Sequence, residues 1–279
     1  MTTQDVHSLQ QTLAERYSDM PQIAGAPDSA LLHSMAARGS CRAFLDKPVP
    51  ASWVDVLCAT ALAAPTKSDL QQRDIVVLRS DESRQALSSL VRGQSWVADA
   101  PMIAVFCGNN RRQRLIHEWK GVPFANDHLD AFFNAAGDAA IALGAFVTAA
   151  EALGLGCCPI SAVRNEAAAV SRLLRLPKHV FPFAGLAFGH PAAARVVSKR
   201  LPLCVTYHID QYREEGVQGN VARYDAERAA AQPYETQRFV DVFGQSVSYT
   251  WSDDKVRQYN APERSDFGAY VRAQGFKLD

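Results

Sequence analysis

A surplus of charge of either sign is missing: Lys and Arg number 29, and Asp and Glu also number 29, in 279 residues. Without a net basic field, non-specific capture of nucleic acid or of an anionic lipid surface is excluded as a main role. Long apolar runs are missing too. The longest unbroken stretch of apolar or small residues, Ala139 to Ala150, is far short of the ~20 residues that span a bilayer, so no membrane partner is expected. The opening MTTQDVHSLQQ has neither a basic segment nor an apolar one of the secretory type, and a cytoplasmic location is expected. The six cysteines (41, 58, 107, 157, 158 and 204) form no CxxC pair, and the adjacent Cys157 and Cys158 suit neither zinc nor a disulfide frame; reduced thiols are expected. No histidine lies in HExxH, HxH or CxxH spacing, so no metal site is expected. A GxSxG elbow and a P-loop are also lacking, and with them the common hydrolase and kinase readings. Gly154-Leu-Gly156 lacks the third glycine of a dinucleotide fingerprint and follows a helical segment, so it reads as a helix end.

What is present is the composition of a globular chain, 48% hydrophobic and 21% charged. Residues 1–27 read as a polar, Pro- and Gly-broken arm. Asp28 is a plausible cap for a helix ending near Gly39, and Ser52 for a second helix stopped by Pro65. Ile75–Leu78, Met102–Phe106, Val180–Gly189 and Leu203–Tyr207 have the β-branched or continuous apolar character of strands. Helices are expected at 81–91, after Asn165, and at 221–231 and 265–274. The longest, about 128–153 and opened by Asp127, has apolar residues at helical spacing and mostly Ala and Gly elsewhere. A helix apolar nearly all round must be covered on several sides, by the core or by its twin in a dimer. Helices between hydrophobic strand runs mean an α/β or an α+β chain.

Three segments carry donors suited to an anion and a flat ring. Arg38-Gly-Ser-Cys-Arg42 puts two guanidinium groups and a hydroxyl at a helix end, a group able to cradle a phosphate. Pro65-Thr-Lys-Ser-Asp-Leu-Gln71 is a donor-rich loop, and Ser198-Lys-Arg200 adds positive charge. Each alone is ordinary surface or loop composition.

In order, these segments resemble the FMN-dependent nitroreductase superfamily. The resemblance rests on Ser40-x-Arg42-x-Phe44, Ala64-Pro-Thr-x-Ser-x-Leu-Gln71, Gly154-Leu-Gly156 before Pro159-Ile-Ser161, and a strand ending in Gly189-x-Pro191. The branch holding the major oxygen-insensitive nitroreductases and the luciferase-associated flavin reductase is the most similar. It is marked here by Arg92-Gly-Gln-Ser-Trp-Val97, Arg164-Asn165, Leu173 to Pro177, Arg200-Leu-Pro202 and Thr250-Trp-Ser-Asp253.

The resemblance implies an α+β, nitroreductase-like fold in α/β/α layers with a mixed central sheet, a single domain over 28–279 with an insertion at 109–126 and a C-terminal extension at 208–279, and a homodimer that exchanges those extensions. It implies bound FMN, with NADPH or NADH as electron donor. Ping-pong hydride transfer to a small acceptor, nitroaromatic or quinone, would then need no catalytic side chain. Arg38, Gly39, Ser40 and Arg42 match the segment that holds the FMN phosphate and ribityl chain, and Lys199 and Arg200 match a second phosphate clamp. Ser198 stands where that branch usually has lysine. Thr66, Lys67 and Ser68 match a loop that reaches the flavin across the dimer. Gln94 matches a glutamine bonded to the isoalloxazine, and Pro159, Ile160, Ser161 and Ala162 match a turn beside the ring. Asp69 and Arg264 fall in the substrate pocket, where the negative charge of Asp69 disfavours acidic substrates. Val242–Ser248 occupies the place of the loop that grips the NADPH phosphate and carries no arginine, which leaves NADH and NADPH both open. A dedicated flavin reductase, a pathway-specific reductive enzyme and a non-enzymatic flavin-binding module are the alternatives. The insertion at 109–126 reads as a solvated helix and loop, with a lid over the flavin as its alternative.

Overall fold

The computed structural model describes residues 8–279 apart from residues 26, 28 and 92; Asp28 and Arg92 of the sequence reading, and the start of the arm, lie outside the described residues. The elements run α1 (Leu9–Arg16), α2 (Ala30–Ala36), α3 (Ala51–Leu62), β1 (Arg73–Leu78), α4 (Asp81–Leu90), β2 (Met102–Asn109), α5 (Arg111–Lys120) and α6 (Leu129–Ala152). They continue with β3 (Gly156–Ile160), α7 (Ala167–Leu173), β4 (Val180–Gly189), α8 (Leu203–Thr206), α9 (Val217–Ala231), α10 (Val240–Phe243), α11 (Trp251–Gln258) and α12 (Phe267–Ala273). The chain divides into two compact units, residues 1–39 with 196–263, and residues 40–195 with 264–279.

The larger unit is built on one sheet in the order β1-β2-β4-β3, with every strand pair antiparallel. A parallel bridge between Ser40 and Cys157 adds the first site segment to its β3 edge. Alternation along β2 sets the layers. Ala104 and Phe106 face one core with Val54, Leu57 and Ala61 of α3 and Ala142, Phe146 and Ala150 of α6. Ile103, Val105 and Cys107 face the other, with Leu87 of α4 and Val170 of α7. Both faces are covered, which is why β2 reads as an unbroken apolar run. Phe106, Phe146 and Phe188 stack edge-to-face at 5.6 and 5.1 Å between centroids, and each buried ring contributes about 2–3 kcal/mol by transfer alone. Pro182 sits inside a central strand at a register shift between Phe106 and Cys107, where the ladder has no place for its missing N–H.

On length and hydropathy α6 could cross a bilayer. Here its buried face packs on the sheet through Ala131, Ala135, Ala139, Ala142 and Phe146, while Leu129, Phe133 and Ile141 stay 48%, 68% and 44% exposed. The helix is therefore not apolar-covered on all sides within this chain. Asp127 does not cap it, since His128 holds the N-cap position. Asp127 is instead held by Arg114 of α5 and by Lys277, and the Arg114 hydrogen bond, with that of Lys277, pulls its pKa down to about 2. Because the folded pKa lies below the unfolded value, this pairing stabilises the protein above about pH 4 and is lost as pH falls toward 2. Asp127→Asn is expected to lower stability by about 1 kcal/mol at pH 7. In urea titrations the gap between variant and parent should close between about pH 4 and 2; a gap independent of pH would refute the pairing.

The smaller unit is helical. Thr250 and Asp253 form a capping box on α11, and the Asp225 carboxylate of α9 accepts from the Ser252 N–H at 3.0 Å and from its hydroxyl. Residues 203–207 are not the strand expected from their apolar run. Asp19 accepts the N–H groups of Leu203 and Cys204 at 2.8 and 2.9 Å, and those two capped donors start the single turn α8.

Candidate functional site

The expected site residues fall into three clusters, one in the smaller unit and two in the larger. In the smaller unit, α2 ends at Ala36 and the chain runs on through Arg38 and Gly39. Gly39 is buried, and a Cβ there would meet the Val196 carbonyl oxygen at 2.6 Å, so only glycine lets this backbone lie against Val196. Opposite, Gln232, the residue that follows α9, fixes the second basic segment, donating to the Val197 carbonyl at 2.9 Å and accepting from the Lys199 N–H at 3.4 Å. Arg38 and Arg200 line one cavity of about 510 Å3, whose other walls include Leu13, Tyr17, Leu32 and Met35; among the described residues its lining holds no carboxylate.

The second cluster lies at the β3 edge. The Cys41 N–H donates to the Cys157 carbonyl at 2.9 Å, which holds Ser40 and Arg42, both exposed, along the strand. The Arg42 guanidinium sits 5.9 Å from the centroid of Trp96, in the turn that follows Gln94. Burial raises the Cys41 thiol pKa, so it is a neutral thiol near pH 7. β3 then delivers Pro159 exposed and Ile160 buried into a tight turn with Ser161 exposed and Ala162 buried. Arg264, in a left-handed conformation at φ 55°, donates to Asn165 Oδ1 at 3.0 Å and so stands beside the end of that turn. Gly156 makes the close approach of Cys41 to β3 workable, since a Cβ there would lie 2.5 Å from Cys41 Sγ. Gly156→Ala is expected to cost about 1–3 kcal/mol and to unpair residues 40–42 from the sheet. Amide exchange at Cys41 reads this out, and unchanged protection would contradict it.

The third cluster is the loop Thr66–Gln71. Ser68, Asp69 and Gln71 all have positive φ, at 48°, 56° and 51°, a conformation that side-chain-bearing residues adopt only when held. The holding group is Asp138 of α6, 2% exposed, whose two carboxylate oxygens accept the Lys67 N–H at 2.9 Å and the Gln72 N–H at 2.8 Å. From outside, Arg112 and Gln113 of α5 donate to the Gln71 and Leu70 carbonyls at 2.6 and 2.8 Å. Asp69 itself accepts from the Gln71 amide at 3.1 Å. The hydrogen bonds of this loop run to Asp138, Arg112 and Gln113, and among the described residues to none of Ser40, Arg42, Gln94 or Ser161. Helix α5 thus has a structural job, bracing this loop.

Asp138, Arg112 and Gln113 were not singled out from sequence. One signal was present for Asp138: it occupies the buried face of α6 with no cation three or four residues away, and such a carboxylate must find N–H donors elsewhere.

A three-layer α/β/α unit with an antiparallel sheet, joined in sequence to a helical C-terminal segment, defines a class. The chain belongs to the nitroreductase family: the family model matches residues 35–190, and the model of the family's C-terminal domain matches residues 198–279. It is 30% identical to the FMN reductase [NAD(P)H] of Bacillus subtilis over 89% of this chain and 98% of that protein. It is 32% identical to the oxygen-insensitive NADPH nitroreductase of Salmonella typhimurium, with the same two coverages. Among solved structures, the NADPH:FMN oxidoreductase of Vibrio harveyi complexed with NAD+ superposes with a TM-score of 0.77 at 27% identity, over 88% of this chain and 98% of that one. The fold is that of the nitroreductases.

Proposed function

We propose that this chain is an FMN-dependent NAD(P)H oxidoreductase that reduces small acceptors, nitroaromatics and quinones among them. The observation that carries the reading is the pairing of Arg38 and Arg200 on one cavity, in a chain of this family. Guanidinium, ammonium and hydroxyl donors are the chemistry a phosphate ester requires, so the residues present fit the group. The phosphate is assigned to Arg38, Lys199 and Arg200 of the smaller unit, where Gly39 supplies the close backbone approach; Ser40 and Arg42 of the larger unit carry donors of the same chemistry. Gln94 and Ser161 supply neutral donors toward the polar edge of the ring, and Pro159, Ile160 and Ala162 supply apolar surface beside it. Thr66, Lys67 and Ser68 present a donor loop whose shape Asp138 fixes. When bound, FMN supplies the two-electron chemistry between a reduced nicotinamide nucleotide and the acceptor. Asp69 and Arg264 set the charge seen by that acceptor, Asp69 acting against anions.

The chain is assigned a cytoplasmic homodimer, in which the exposed Leu129, Phe133 and Ile141 of α6 are the apolar face that a second copy covers. Light scattering at the monomer mass with flavin bound would overturn that assembly. Free FMN as a dedicated acceptor is the second reading, favoured by the relative named FMN reductase.

The test is the visible spectrum of the purified protein before and after anaerobic addition of NADH or NADPH. Flavin bands that bleach support the reductase, and the faster nucleotide identifies the donor. Bound flavin that neither nucleotide bleaches would leave a binding module. A protein that takes up no FMN would remove the reading. Turnover of free FMN against turnover of one nitroaromatic separates the two acceptor readings.

A further inference from the structure

We infer that Arg16, on a helix lying before either family match begins, is a positioning residue that sets the geometry of the phosphate clamp; this rests on the flavin reading above. Arg16 ends α1 and is 4% exposed. Its guanidinium reaches three backbone carbonyls: Nε donates to Ala36, Nη2 to Arg38, and Nη1 to Ser198 at 3.1 Å. In return the Arg200 N–H donates to the Arg16 carbonyl at 2.8 Å. One residue therefore grips, through side chain and backbone, the two segments that carry Arg38, Lys199 and Arg200. Asp19, three residues on, caps Leu203 and Cys204 and so fixes the chain just beyond Arg200.

The chemistry of these acceptors explains why an arginine stands here. The Ala36 carbonyl lies at the C-terminus of α2, where unpaired carbonyls and the helix dipole favour a cation. A planar fork with five donors can bind carbonyls diverging from two segments; lysine, with one nitrogen, cannot span them. Burying that fork is costly unless its donors are met, so Arg16 and the carbonyls fix one another. The product is a set spacing between Arg38 and Arg200 across their shared cavity. Bidentate recognition of a phosphate depends on such spacing to a fraction of an ångström, whereas flavin-ring contacts depend on other segments.

That difference gives a readout separate from stability. FMN and riboflavin share the ring and ribityl chain and differ by the phosphate alone. In the full-length protein stripped of flavin, fluorescence titrations with each ligand should show that Arg16→Ala weakens FMN by about tenfold or more and riboflavin by less than about threefold. Arg16→Lys keeps the charge and is expected to restore thermal stability more than the preference for FMN. Should Arg16→Ala fail to fold, Arg16→Gln, which still reaches one carbonyl, is read on the same ratio. An unchanged FMN-to-riboflavin ratio, or equal weakening of both ligands, would overturn the proposal and leave Arg16 a fold-stabilising residue. A parent protein that binds neither ligand fails the flavin reading itself, and the proposal with it. A parent that binds both equally retains the flavin but overturns the clamp.

Discussion

Asp138→Ala is expected to destabilise the protein by about 2–4 kcal/mol and to release the Thr66–Gln71 loop, although no substrate or cofactor atom is assigned to Asp138. The carboxylate is buried and meets two backbone N–H groups, Lys67 on an exposed residue and Gln72 on one 1% exposed. Removing it leaves the Gln72 donor orphaned away from water, at about 1–3 kcal/mol, with a smaller loss at Lys67, which water can reach. Only the bonds from Arg112 and Gln113 and the loop's own contacts then oppose relaxation of Ser68, Asp69 and Gln71, whose left-handed conformations each cost on the order of 1–3 kcal/mol for a residue with a side chain. The loop should relax toward ordinary backbone geometry, with faster amide exchange at Lys67 and Gln72 and earlier proteolysis at 66–71. Asp138→Asn keeps one acceptor and turns an NH2 toward the other N–H, so it should be intermediate. Since this loop carries Thr66, Lys67 and Ser68, activity should fall further than stability predicts at temperatures where the variant is folded. A melting temperature within about 1 °C of the parent, with both amides still protected, would show that the loop holds its own shape.

The same residues show what a single sequence discloses. β4 matched its expected span, Val180–Gly189, because a run of continuous apolar residues bounded by turns has few other uses in a chain of this composition. β2 runs three residues beyond expectation, through Cys107–Asn109, since Gly108 and Asn109 are poor strand formers held by pairing with β1 and β4. β3 went unread: Gly156 and Pro159 speak against a strand, and an edge position is where a missing N–H is tolerated. Residues 203–207 were misread because an apolar run was taken at face value. The deciding contact, the Asp19 carboxylate, is 184 residues away in sequence. The basic segments at 38–42 and 198–200 were legible as a set, since phosphate recognition draws on few residue types. Arg16, which shapes the segments carrying Arg38 and Arg200, and Asp138, which shapes the Thr66–Gln71 loop, bond to backbone atoms, and backbone positions leave no pattern in side-chain spacing.

Arg200→Ala is expected to weaken FMN by about 10–100-fold, as removal of one charge-assisted contact worth about 1.5–3 kcal/mol implies. Arg200 is exposed, and its structural bond is made by its backbone N–H to Arg16, which alanine keeps. The melting temperature of the flavin-free variant should therefore stay within about 2 °C of the parent, separating lost binding from lost folding. Arg42→Ala, also exposed, should show the same signature. Arg223→Ala, at a surface arginine of α9 paired with Glu227 at 3.9 Å, should leave FMN binding unchanged and control for net charge. A double-mutant cycle asks the sharper question, because Arg38 and Arg200 line one cavity. If both grip the same dianion, the loss in Arg38→Ala/Arg200→Ala differs from the sum of the single losses by about 0.5–3 kcal/mol in binding free energy. Riboflavin, lacking the dianion, should give a cycle that closes to zero. Full FMN occupancy in purified Arg200→Ala and Arg42→Ala would remove both arginines from the clamp. Additive losses would instead assign Arg38 and Arg200 to separate parts of the ligand, because a shared charge is what makes two cations interdependent.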